Sequence, residues 1–347
     1  MMRGDKFRCR ASDLPENDRR RRLYIHCGLA KTGTTSLQDY LAQRRAELLT
    51  LGVGYPAVGV NKRGVAQQNL AIAILQEDGG DVPDGGRQEL IETLRASDRA
   101  PNVVISSESF SACIGNKRAR PKFLDFIRQL RELNDEVYAV FTVRTFWKHM
   151  ESSYLERLKK GKPRKDISDQ IQTYTDWLES LCEGLTLLGE EMGENCVIAL
   201  DVEYAFPGSI DAMLSTLGLN ADLLPPRTKS LNVRLSLKKS AYLYQFQYDP
   251  CGTHNNRPKA EITSIASMLK RIPDFRADEM DYHLLSSDDA NRIQSLAREK
   301  MPPYLADSLK KLTAPVTEPF EAIDLGAIRF TERDRKVIRK VRARFGR

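Results

Sequence analysis

The stretch from Leu23 to Gly52 limits the possible folds more than any other part of the chain. Leu23 to Cys27 (LYIHC) is a short apolar run that stops at Gly28, and Gly28-Leu29-Ala30-Lys31-Thr32-Gly33-Thr34-Thr35-Ser36 is a polar Gly/Thr segment. From Ser36 onward Leu37, Tyr40, Leu41, Leu48 and Leu49 fall near one helical face, and Gly52 stands where a C-terminal glycine ends a helix. A strand, a glycine-containing loop and a helix in direct succession bring free backbone N–H groups and a helix dipole to one point, which suits an anion.

Three further apolar runs read as buried strands: Asn102 to Ser106, Val137 to Val143 and Cys196 to Leu200. Helical patterns lie between them. This alternation predicts an α/β fold with a parallel sheet and helices on both faces, with ligands gathering beyond the carboxyl ends of the strands. The polar segments 61–100 and 242–314, with their GGDVPDGG and YDPCGTHNNRP clusters, suit excursions that cover a cleft. The expected organisation is a basic flexible leader over 1–21 and an α/β core over 22–240. A mostly helical extension over 241–347 is expected to pack on the core and end in a basic amphipathic helix.

Composition serves mainly to exclude. With 41% hydrophobic and 29% charged residues the chain resembles an ordinary globular protein, not a disordered one. No stretch reaches the roughly 18 apolar residues of a membrane span, and the start carries charge without an apolar signal core, so a cytoplasmic location is expected. The six cysteines, Cys9, Cys27, Cys113, Cys182, Cys196 and Cys251, lack CxxC spacing, so they read as reduced thiols and no metal is expected. From Arg329 to Arg347 there are nine Lys/Arg against Glu332 and Asp334, an excess equal to the net charge of +7. Thr331 is a good N-cap there, and Val337, Ile338, Val341 and Phe345 follow helical spacing, so a docked amphipathic helix is the first reading. Attraction of an acidic substrate and peripheral membrane contact stay open beside it; nucleic-acid binding is not expected.

The Gly/Thr loop is not a nucleotide-triphosphatase loop. That motif needs a lysine directly after its second glycine, where this chain has Thr34, and the lysine sits instead at Lys31. KTGTTS after a strand resembles the 5'-phosphosulfate loop of the PAPS-dependent sulfotransferases (PAPS being 3'-phosphoadenosine 5'-phosphosulfate), and HxGxxKTGTTSLQ is similar to a branch found among bacterial enzymes. A second segment extends the likeness. VFTVRTFWKHMESSYLERLKKG begins on a strand and enters a helix, with Arg144 at the strand end and Ser152 eight residues later. This is similar to the family's 3'-phosphate motif, in which an arginine and a serine jointly hold that phosphate. Taken singly, Arg144 reads first as a sheet edge closed by a salt bridge and Ser152 as an exposed helix residue; it is their pairing with the Lys31 loop that favours the phosphate reading. ENCVIALDVEYAFPGSIDAMLSTLGL looks like the family's later strand and helix, with a scaffold role.

The resemblance implies a P-loop-NTPase-like parallel sheet with helical insertions over the cleft. PAPS is then the donor, PAP (its desulfated form) the product, and no metal takes part. Lys31 stands where it would stabilise the reacting sulfuryl group and leaving oxygen, while Thr32, Gly33, Thr34, Thr35 and Ser36 hold the 5'-phosphate. Lys229, Asn232 and Arg234 are further nucleotide-contact candidates, although their segment departs from the family's Arg-Lys-Gly motif. Glu108, delivered by the strand that ends at Ser106, is the candidate base; a Ser-Ser-Glu helix cap is the alternative. His26 is a third catalytic candidate, with a structural histidine as the alternative, and His254 is held in reserve for the acceptor. A carboxylate base suggests a carbohydrate or glycolipid acceptor, by analogy with carbohydrate sulfotransferases. The rival readings are a phosphate-loop kinase using ATP and magnesium and a non-catalytic nucleotide-binding scaffold. Oligomeric state and the choice between O- and N-sulfation are left open.

Overall fold

Both faces of the central strands are apolar because each faces a helical layer, not water. Leu23 and Ile25 point to one side and Tyr24 to the other, and all three are buried. The computed structural model describes residues 20–76, 86–96, 100–161, 167–206, 208–219, 236–248, 258–269, 282–332, 334–336 and 339. Among these, five strands form one all-parallel sheet: β1 (Arg22–His26), β2 (Val53–Gly54), β3 (Asn102–Ser106), β4 (Glu136–Val143) and β5 (Val197–Asp201). Their order is β2-β3-β1-β4-β5. His26 lies beside Ser106 on one neighbour and Val140 on the other, so β1 and β3 end level while β4 runs on to Val143.

The described chain divides into two compact units, each assembled from three separated stretches. The first, Met1–Thr145, Trp177–Leu231 and Ala297–Thr313, contains the sheet. It also holds α1 (Thr34–Gln43), α2 (Arg45–Thr50), α3 (Gln68–Leu75), α4 (Arg87–Arg95), α5 (Ser109–Gly115) and α6 (Arg120–Arg131). The second unit, Phe146–Asp176, Asn232–Leu296 and Ala314–Arg347, opens with α7 (Phe146–Lys159). The long helix α8 (Ile167–Met192) gives its start to the second unit and the rest, from Trp177, to the first. After β5 come α9 (Ser209–Thr216) in the first unit and α10 (Leu237–Gln247) and α11 (Lys259–Leu269) in the second. Helix α12 (Ser287–Lys300) begins in the second unit, and α13 (Pro303–Leu309) belongs to the first.

In the first unit Tyr24, Val104, Val140 and Leu200 from four strands meet Leu37, Tyr40 and Leu41 of α1 and Ala212, Met213 and Leu214 of α9. The second unit has its own core, in which Tyr154, Leu155 and Leu158 of α7 pack with Leu243, Phe246, Ile262 and Ile265. No helix among the described residues is long and apolar enough to cross a membrane. Cys27, Cys113, Cys182 and Cys196 are free thiols.

The helix expected to run from Ser36 to Gly52 is broken at Arg44, which has φ −115° and ψ 25°. The break changes the helical phase, so Leu48 is fully buried while Leu49 is 58% exposed, against the expectation that both lie on the packed face. At the other end, Thr331 and Asp334 form a reciprocal cap. Asp334 N–H donates to Thr331 Oγ1 (3.2 Å), and Thr331 N–H and Oγ1–H donate to Asp334 Oδ2 (2.8 and 2.7 Å). Val337, Ile338, Val341 and Phe345, like most of the leader, lie outside the described residues.

Candidate active site

The loop between β1 and α1 continues the sheet before it turns. Cys27 N–H donates to the Val140 carbonyl (2.7 Å) and Leu29 N–H to that of Thr142 (3.2 Å), so β4 guides the chain past the end of β1. The turn that follows is tight. Thr32 Oγ1–H closes it onto the Leu29 carbonyl (2.6 Å), Lys31 adopts φ 70° and Gly33 φ 87°. Lys31 is the one non-glycine residue with positive φ among those described, a conformation that costs on the order of 1–3 kcal/mol and so must be held by its surroundings. Leu37 N–H donates to the Gly33 carbonyl (3.1 Å), starting α1 where the loop stops.

Both loop glycines are required for space. A Cβ on Gly28 would stand 2.3 Å from Thr142 Oγ1 and 2.6 Å from His26 Nε2, and one on Gly33 would stand 2.9 Å from Ser209 Oγ. Ser209, at the start of α9, donates its hydroxyl to the Gly33 carbonyl (3.0 Å) and ties that helix to the loop.

Below the loop lies a buried polar group. His26 is fully buried, with Nδ1 2.7 Å from Ser106 Oγ and Nε2 3.1 Å from Thr142 Oγ1. Thr142 Oγ1 is 2.8 Å from Thr32 Oγ1, and Gln38 Nε2 donates to Ser106 Oγ (3.2 Å). Gln67 pins the same strand end: its N–H donates to the Ser106 carbonyl (2.9 Å) and its Oε1 accepts the Ser106 N–H (2.8 Å). Burial pushes the His26 imidazole down to about 4, so it is neutral near pH 7.

Two charged side chains from elsewhere in the sequence reach the loop. Glu108 follows β3 and is exposed; its Oε2 accepts the Thr34 hydroxyl (3.1 Å). It stands at the N-cap position of α5 but makes no side-chain cap bond, so its carboxylate faces α1 and not its own helix. Arg144 follows β4, is half-buried, and donates Nη1–H to the Lys31 carbonyl (3.4 Å). The next residue, Thr145, gives both its N–H (2.9 Å) and its hydroxyl (2.6 Å) to Glu203 Oε2 beyond β5.

The first unit therefore brings Lys31, Thr32, Gly33, Thr34, Thr35 and Ser36 together with His26, Glu108 and Arg144 beyond the carboxyl ends of three adjacent strands. Ser152 is half-buried on α7 in the second unit. Lys229, Asn232, Arg234 and His254 lie outside the described residues. Sequence reasoning passed over Thr142, Gln38, Gln67 and Ser209. Thr142 had a signal, a hydroxyl inside the otherwise apolar VYAVFTV run; Gln38 and Gln67 had none, because an amide in a polar context looks like surface.

The fold and loop define an α/β protein whose all-parallel sheet carries a tight strand–loop–helix turn at the end of its central strand. Compared with models of known protein families and with curated proteins, the chain matches none.

Proposed function

We propose that the chain is a sulfotransferase that moves a sulfuryl group from PAPS to a hydroxyl or amine of an acceptor, of the carbohydrate or glycolipid headgroup class. The observation that carries this reading is the convergence of Lys31, Glu108 and Arg144, from three separated parts of the sequence, through the Thr34–Glu108 and Arg144–Lys31 hydrogen bonds. The residues fit an anionic nucleotide. The loop leads into a ten-residue helix that has no side-chain cap bond, and two cationic side chains, Lys31 and Arg144, stand at it.

PAPS supplies an already activated sulfuryl group, which leaves positioning and charge stabilisation to the protein. In this reading the amides of Thr32 to Thr35 bind the 5'-phosphate and the Lys31 ammonium offsets charge at the leaving oxygen. Arg144 binds the 3'-phosphate, which ATP lacks. Glu108 takes the acceptor's proton at Oε1, because Oε2 already accepts from Thr34. His26, neutral and engaged at both ring nitrogens, orients the loop instead of exchanging a proton with the acceptor.

Calorimetric titration with PAP, beside ATP plus magnesium, tests the reading. PAP is expected to bind with ATP weak, Arg144→Ala to weaken PAP binding about tenfold or more, and Lys31→Ala to lower turnover far more than binding. Preference for ATP–magnesium would favour a kinase, and donor binding without turnover over a broad acceptor panel would favour a scaffold.

A further inference from the structure

Beneath the loop, counting protons fixes the direction of the hydrogen bonds from His26 to the Leu29 carbonyl. The Leu29 carbonyl can only accept, so the single Thr32 hydroxyl proton goes to it (2.6 Å). Thr142 must then donate to Thr32 Oγ1 (2.8 Å). With that proton committed, Thr142 Oγ1 meets His26 Nε2 (3.1 Å) as an acceptor, so Nε2 carries the hydrogen. A wholly buried neutral imidazole has one N–H, which leaves Nδ1 bare to accept the Ser106 hydroxyl at 2.7 Å; the Tyr55 hydroxyl, whose own proton goes to the Val65 carbonyl (2.6 Å), is the second acceptor beside Ser106. Ser106 Oγ in turn accepts from Gln38 Nε2 (3.2 Å).

We infer that Gln38, Ser106, His26, Thr142 and Thr32 form a one-directional hydrogen-bond relay that holds the Leu29–Thr32 turn in the shape that presents Lys31, with His26 as its Nε2–H tautomer. Each hydroxyl donates once toward the loop. Reversing any link puts two donors, or two bare acceptors, face to face in a site closed to water, where neither is compensated. The relay crosses β3, β1 and β4 and ends on the carbonyl that closes the turn around Lys31, whose φ is positive. Gly28 lies directly over the His26–Thr142 link, which is why a Cβ there meets both of its atoms. His26 is thus a positioning residue, acting on Lys31 through Thr142 and Thr32. The ligand-binding consequence rests on the donor reading above; the relay itself does not.

The test begins with histidine ¹⁵N NMR on the full chain, with the His26 signal assigned by its loss in His26→Asn. A bare Nδ1 and protonated Nε2 are expected near pH 7. The opposite tautomer, or a charged ring, would overturn the relay. Amide exchange over residues 29–34 and PAP affinity are then compared in Thr142→Val and Thr142→Ser. The valine variant is expected to exchange about tenfold faster and bind PAP about tenfold more weakly, while serine restores both to within about twofold of the parent. Valine and serine variants that behave alike would overturn the proposal. If the parent protein binds no PAP, the donor reading fails by itself, and the relay is still judged by tautomer and exchange. If Thr142→Val does not fold, the tautomer of the parent chain decides.

Discussion

His26 shows how one residue can be decided by its neighbours. In the unfolded chain an imidazole titrates near 6.5, whereas in the folded protein burial pushes this one down to about 4. Between those values the unfolded chain binds a proton that the folded chain excludes, so folding stability is full above about pH 6.5 and falls as the pH drops toward 4. At about 1.4 kcal/mol per pH unit the loss is about 3 kcal/mol, with none added by this group below that. Urea unfolding across this range is expected to show the slope in the parent chain and a flatter profile in His26→Asn. Glu136 titrates in a lower window. Hydrogen bonds from Arg20 and Arg22 hold its carboxyl down at about 2, so its contribution is present above about 4.5 and fades only below that.

At the scale of elements, buried polar anchors set how the helices meet. Arg120 on α6 is 7% exposed; its Nε–H goes to the Ile114 carbonyl (2.8 Å) and its Nη2–H to the Ser180 carbonyl (2.6 Å) and hydroxyl (3.0 Å). One guanidinium therefore joins the ends of α5 and α6 to the part of α8 in the first unit. Arg120→Ala removes both carbonyl partners at once and is expected to cost about 2–3 kcal/mol, read as a lower urea midpoint. Nothing in the sequence separates Arg120 from its neighbours Lys117 and Arg118, since all three read as charge ahead of a helix. β1, β3 and β4 were legible because four or more buried residues in a row leave an apolar run, and β5 because Val197 to Leu200 are apolar although only its ends are buried. β2 was not, because two residues carry no pattern. The break at Arg44 was equally hidden, since Leu48 and Leu49 look alike until the backbone phase is known.

For the whole molecule, charge distribution is the property most open to test. The formal charge of +7 equals the surplus of Arg329–Arg347, and both acids of that segment are engaged: Glu332 pairs with Arg339, and Asp334 with Lys238 (3.3 Å). Deleting 329–347 brings the formal charge to about zero. The full chain is expected to sediment with phosphatidylserine vesicles at low salt and to be released at high salt, while the deleted chain stays in solution in both. Equal sedimentation of the two forms would remove the tail as a membrane contact.

The sequence by itself determined the parallel α/β class, the strand–loop–helix order, and the sites of Lys31, Glu108 and Arg144 at strand ends, because these follow from local runs of apolar, glycine and charged residues. The tertiary structure alone decided that Glu108 turns to Thr34 instead of capping its helix and that Arg144 reaches the Lys31 carbonyl. It also decided that His26 meets Ser106 at Nδ1 and Thr142 at Nε2. Those outcomes depend on strand register, which places residue 26 beside 106 and lets β4 continue past it, and register is a property of pairing between distant segments that no window of sequence contains.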